Sequence, residues 1–203
     1  RPPRSTLFPY TTLFRSLTKG VQSVKVGLSW DVNGIQDCDL DVLAIELTDK
    51  DGKCIGDPYA VFYNSVNKTL DGKPTDPTQA VIHSGDNRTG EGSGDDEVIS
   101  VDFSKLDSRC NAILFVINIY EGKARGINFG QVKNPRARLY YADSSVADLV
   151  YELDEDYSSD VCMEFCMLYK HNDEWKFKAL GEGNSNDLAA ELNKWGLPCT
   201  GNA

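Results

Sequence analysis

Apolar residues in this chain recur at every second position over short runs, and Gly, Pro, Asn and Asp separate the runs. Residues 24–30 alternate in this way, as do 41–47 and 97–103, and period two is the signature of a strand with one face on a core. Residues 60–63, 81–83, 138–141 and 148–153 are shorter candidates of the same kind. The most continuous apolar run, 112–120, is expected to be a strand covered on both faces. Near the C-terminus Val161, Met163, Phe165, Met167 and Tyr169 share one parity, residues 171–174 turn the chain, and 175–179 alternate back. That return predicts a hairpin, although a helix over 159–168 fits the same residues locally. Residues 64–79, with Asp71-Gly72, Pro74 and Pro77, read as an exposed loop. The clearest helix is 187–195, capped by Asn186 or Asp187. Eight or so strands with a few short helices, one of them near the C-terminus, predict an all-β sandwich of two antiparallel sheets.

At 203 residues and 40% hydrophobic content the chain is long enough for one domain with a sizeable core. Residues 1–16 differ in character from the rest of the chain: they are basic without an acid, and they repeat a Thr-Leu-Phe pattern. They read as adaptor or expression sequence, with a targeting peptide as the alternative, so the domain is expected over 17–203. A net charge of −10 argues against nucleic acid and anionic lipid as partners. No run reaches the eighteen or so apolar residues of a membrane span. Six cysteines are scattered without a C-x-x-C pair, which suggests reduced core thiols and a cytoplasmic location.

The acidic residues fall in two groups, each leading directly into a strand. Residues 85–97 form a glycine-rich loop carrying Asp86, Asn87, Glu91, Asp95, Asp96 and Glu97, with Arg88 as local compensation. Crowding five carboxylates costs repulsion that a multivalent cation would convert into binding energy. The alternative is a solvated acidic loop. Asp37, Asp39 and Asp41 form the second group. On a strand Asp39 and Asp41 project to one side, roughly 6–7 Å apart, and can bracket a calcium ion; an Asx-rich turn is the alternative. An EF-hand is excluded, because counting from Asp37 the sixth position is Val42 and the twelfth Thr48, where Gly and Glu are required. Asp31 and Asn64 are secondary ligand candidates.

Taken together and in order, 26–31, 37–41, 62–64, 85–97, 125–132 and 168–177 resemble the TerD-type tellurium-resistance and stress-response family over nearly everything after residue 17. The resemblance implies a β-sandwich, calcium held between loops at one end, a cytoplasmic stress-response role with possible protein partners, and no established enzymatic reaction. Three departures stand out: Ser93 occupies a position often acidic in relatives, 74–79 looks like an insertion, and the first strand of the family has the foreign-looking leader in its place.

The expected function is therefore calcium binding through Asp31, Asp39, Asp41, Asn64, Asp86, Asn87, Glu91, Asp95, Asp96 and Glu97. One rival is a partner-docking scaffold using Arg125, Asn128, Gln131 and Asn134, with calcium structural. The other is a hydrolase using a carboxylate pair such as Asp39 and Asp95. Only His83 and His171 are available for general acid–base work, and no nucleophile elbow, phosphate loop or zinc signature is present. Cys38, between two aspartates, is poorly placed to form the thiolate that tellurite chemistry would need.

Overall fold

The computed structural model describes residues 14–17, 21–31, 38–91, 94–141, 144–153 and 157–198. Two antiparallel sheets pack face to face. The first runs β1 (Phe14–Ser16), β11 (Glu174–Asn184), β10 (Cys162–His171), β7 (Ala112–Ile119), β3 (Leu40–Leu47), β4 (Ala60–Val61). The second runs β5 (Val81–His83), β6 (Glu97–Asp102), β2 (Ser23–Asp31), β8 (Lys133–Tyr141), β9 (Leu149–Glu152). The all-β sandwich expected from alternation is the observed fold, and β7 is buried on both faces as its unbroken apolar run required. A single helical turn, α1 (Gly122–Arg125), comes after β7.

Alternation places the main core between the sheets. Val24, Val26 and Leu28 of β2 meet Leu40, Val42 and Ala44 of β3 and Ile113, Phe115 and Ile117 of β7. The opposite parity of β3, Leu43, Ile45 and Leu47, packs under the C-terminal helix α2 (Leu188–Lys194) through Leu188 and Leu192. Asp187 caps that helix, accepting a 2.8 Å hydrogen bond from the Ala190 N–H. The hairpin is also as expected, β10 and β11 turning through Asn172 and Asp173 with φ of 53° and 60°, the twist that a two-residue turn requires.

The expected single parity along β10 does not hold. A bulge between Glu164 and Cys166 shifts the register, so Met163 and Phe165 face the inter-sheet core while Met167 and Tyr169 face the helix side. One extra residue reverses every side chain beyond it.

The first strand differs from expectation too: Phe14–Ser16 pair with Lys178, Phe177 and Lys176 at the sheet edge. Among the described residues, no helix is long and apolar enough to cross a membrane.

Candidate metal centre

At the start of β3 three carboxylates converge. Asp39, Asp41 and Asp86 each offer an oxygen within 4.8 Å of the other two. Asp41 is 1% exposed, and neither of its carboxylate oxygens has a hydrogen-bond partner; the same is true of Asp39 Oδ1. Burial, reinforced by Glu97, Asp39 and Asp86, pushes the Asp41 carboxyl up to about 9. Burial and then Asp86 push Asp39 up to about 6, against the opposing pull of Arg88 and Arg125. Arg88 Nε stands 3.7 Å from Asp39 Oδ2, its side chain largely in solvent, where an ion pair contributes little. Tyr63 lies beside the cluster: burial, then the Asp41 charge, raise its hydroxyl to about 12, and its ring meets Tyr120 edge-on at 6.5 Å.

The acidic loop reaches this place because it is fastened to both sheets. Glu97 Oε2 accepts from the Val42 N–H of β3 at 3.0 Å, and its Oε1 accepts from the Asn87 N–H at 3.2 Å. Asp96 accepts from the Trp30 N–H at 2.9 Å and from Asn87 Nδ2 at 3.3 Å. The Trp30 indole donates to the Cys38 carbonyl at 3.0 Å, tying the two acidic segments together. Gly90 passes against that indole with φ of 62°, and a Cβ there would stand 2.5 Å from Trp30 Nε1; this loop glycine is required by a close approach as well as by its left-handed backbone.

The ten candidate ligands therefore separate. Asp39, Asp41 and Asp86 come together. Asn87, Asp96 and Glu97 stand behind them as fasteners. Asp95 lies on the outer face of the second sheet, bonded to Arg138 and, at 2.7 Å, to the Tyr140 hydroxyl, above Gly27, where the absence of a side chain leaves it room. Asp31 is engaged by Asn134 Nδ2 at 2.6 Å and Lys133 at 3.8 Å. Asn64 lines an apolar groove with Phe62 and Leu192, and Glu91 is exposed. Asp37 and Ser93 lie outside the described residues. Trp30, Tyr63 and Tyr120 were not among the expected site residues; Trp30 and Tyr63 fall within the family-like segments 26–31 and 62–64, but no acidic motif marks them as part of the site.

The sequence of this chain matches the TerD domain over residues 13–195. The chain belongs to the TerD domain family. It is 40% identical over 187 residues to the tellurium resistance protein TerD of Serratia marcescens, covering 90% of this chain and 93% of that protein. It is also 40% identical over 181 residues to general stress protein 16U of Bacillus subtilis, covering 88% and 89%. The fold is shared with a crystal structure of a TerD homologue, SCO6318 of Streptomyces coelicolor, at a TM-score of 0.68 and 18% identity, over 88% of this chain and all of that one. This TerD-domain chain thus stands among tellurium-resistance and general stress-response proteins.

Proposed function

We propose that this TerD-domain protein is a calcium-binding component of a cytoplasmic stress response, with Asp39, Asp41 and Asp86 as its ligands and no catalytic chemistry of its own. The observation that carries the reading is Asp41: a carboxyl 1% exposed with both oxygens unpartnered must keep a proton or pair with a cation, and its setting among other carboxylates favours the cation. Two more carboxylates within 4.8 Å provide an all-oxygen donor set. Such a set suits calcium, which takes six to eight oxygens in flexible geometry, while zinc prefers nitrogen and sulfur. Cys54, Cys110, Cys162 and Cys166, which stand as thiols, agree with a reducing compartment.

Neither rival finds comparable support. A hydrolase needs a free carboxylate opposite Asp39, and Asp95 is held by Arg138 and Tyr140 on another face. The scaffold reading rests on the 125–134 segment, where Gln131 Oε1 accepts from the Asn128 N–H at 2.9 Å and closes a local capping box.

Calorimetric titration with calcium chloride and parallel thermal melts test the proposal. Saturating calcium at a hundred times Kd stabilises the native state by about 2.7 kcal/mol, a shift of several degrees. Asp41→Asn is expected to abolish the binding heat while leaving the metal-free protein folded, since it removes an uncompensated buried acid. A flat wild-type titration at millimolar calcium, or a variant that binds as the wild type does, overturns the reading.

A further inference from the structure

We propose that His83 is a positioning residue for the cation site: from inside the sandwich its imidazole steadies the Glu97 carboxylate that sets the distance between the strand carrying Asp41 and the loop carrying Asp86. The inference rests on the calcium reading above and concerns what makes that site preformed.

Glu97 grips both ligand-bearing segments with one side chain. Its Oε2 takes the N–H of Val42, the residue after Asp41, and its Oε1 takes the N–H of Asn87, the residue after Asp86. A rotation about its side chain would release one segment or the other. His83 and Glu97 are both 0% exposed, so no water competes for that carboxylate.

The imidazole is oriented by its own neighbourhood. The Gly85 N–H donates to His83 Nδ1 at 3.0 Å, which makes Nδ1 an acceptor and leaves the proton of the neutral ring on Nε2. Nε2 stands 3.3 Å from Glu97 Oε2, not aimed for a formed hydrogen bond but with its N–H dipole beside the carboxylate charge. The His83 backbone is fixed as well, its N–H donating to the Pro74 carbonyl at 2.9 Å. His83 is therefore bonded to the start of the loop through Gly85, the residue just before Asp86, and lies against its end at Glu97. Outer groups of this kind, which touch a ligand's support and not the ion, commonly govern metal affinity by about 10- to 100-fold.

The test is calorimetric titration of calcium chloride into the full chain and three variants, each checked for folding by circular dichroism. His83→Leu keeps the bulk and removes both polar atoms; His83→Gln places an amide nitrogen near the Nε2 position; His83→Asn reproduces only the Nδ1 side. Calcium affinity is expected to fall about 10-fold or more in His83→Leu and His83→Asn and to stay within about threefold of wild type in His83→Gln. In a Glu97→Gln background the His83→Leu change is expected to cost no further affinity, because the two act through one contact. A folded His83→Leu that binds within about threefold of wild type overturns the inference. If His83→Leu does not fold, equal affinities of the Gln and Asn variants overturn it instead. A wild type that binds no calcium sinks this inference together with the calcium reading, whereas wild-type binding unaffected by His83 sinks this one alone.

Discussion

Glu46 shows how much a single side chain can say. It lies on the parity of Leu40, Val42 and Ala44, 0% exposed, with its carboxyl beside the buried Cys110 thiol. Burial, with the Asp76 charge adding to it, pushes its carboxyl up to about 8, whereas in the unfolded chain it titrates near its ordinary value of about 4.3. Between those values the folded protein keeps a proton that the unfolded chain has released. The stability this group contributes is therefore whole below about pH 4 and is lost as pH rises through about 8. Glu46→Gln removes the dependence, so the stability of the variant relative to wild type is expected to grow by about 4 kcal/mol between pH 5 and pH 9. Urea unfolding at several pH values measures it, and an offset that stays constant across the range would refute the buried proton. Neither this residue nor the isolation of Asp41 was legible in the sequence: an acid inside an alternating strand looks the same whether water or a core lies opposite.

At the end of the acidic loop, Asp95 and Asp96 are both held against the second sheet. Asp95 lies over Gly27 with its carboxylate on Arg138 and Tyr140, and the Asp96 N–H donates to the Leu28 carbonyl at 2.7 Å. A Cβ at Gly27 would stand 2.2 Å from Asp95 Oδ2, so Gly27→Ala is expected to lift that carboxylate off both partners. The loss should be about 1–2 kcal/mol, typical of a partly buried charged hydrogen bond. Amide exchange at Asp96 should then quicken by about tenfold or more, as about 1.4 kcal/mol of local stability corresponds to a factor of ten; unchanged exchange would show that Asp95 is not a tether. At this scale the sequence was a good guide to which segments are strands and a poor one to register. The bulge in β10 carries no residue signature in the 161–169 run, and it alone turned one apparent face into two.

For the molecule as a whole, the exposed edges matter most. The first sheet ends at β1, only three residues long, laid on the outer side of β11. Removing residues 1–16 is expected to leave the sandwich and calcium binding intact, because none of the converging carboxylates touches that edge. It should lower the melting temperature by a few degrees, on the order of 1 kcal/mol for a domain this size, and bare the β11 backbone to a second copy. Light scattering before and after trimming reads the association, and a trimmed chain that remains monomeric at high concentration would show the edge to be protected otherwise. What residue order settled by itself was local: period-two alternation made the strands, Asn172-Asp173 made the hairpin turn, and Asp39 and Asp41 shared a side because alternate residues on a strand must. The tertiary structure alone decided which acids meet. Asp95, Asp96 and Glu97 are consecutive, yet one lies on an outer face, one on Trp30 and one in the interior, since the chain bends at Gly94 (φ 106°) and Asp96 and becomes an extended strand only from Glu97. Asp86 joins Asp39 and Asp41 from more than forty positions away because Glu97 and Trp30 fasten its loop to strands of both sheets, and no spacing within a single segment could have encoded that convergence.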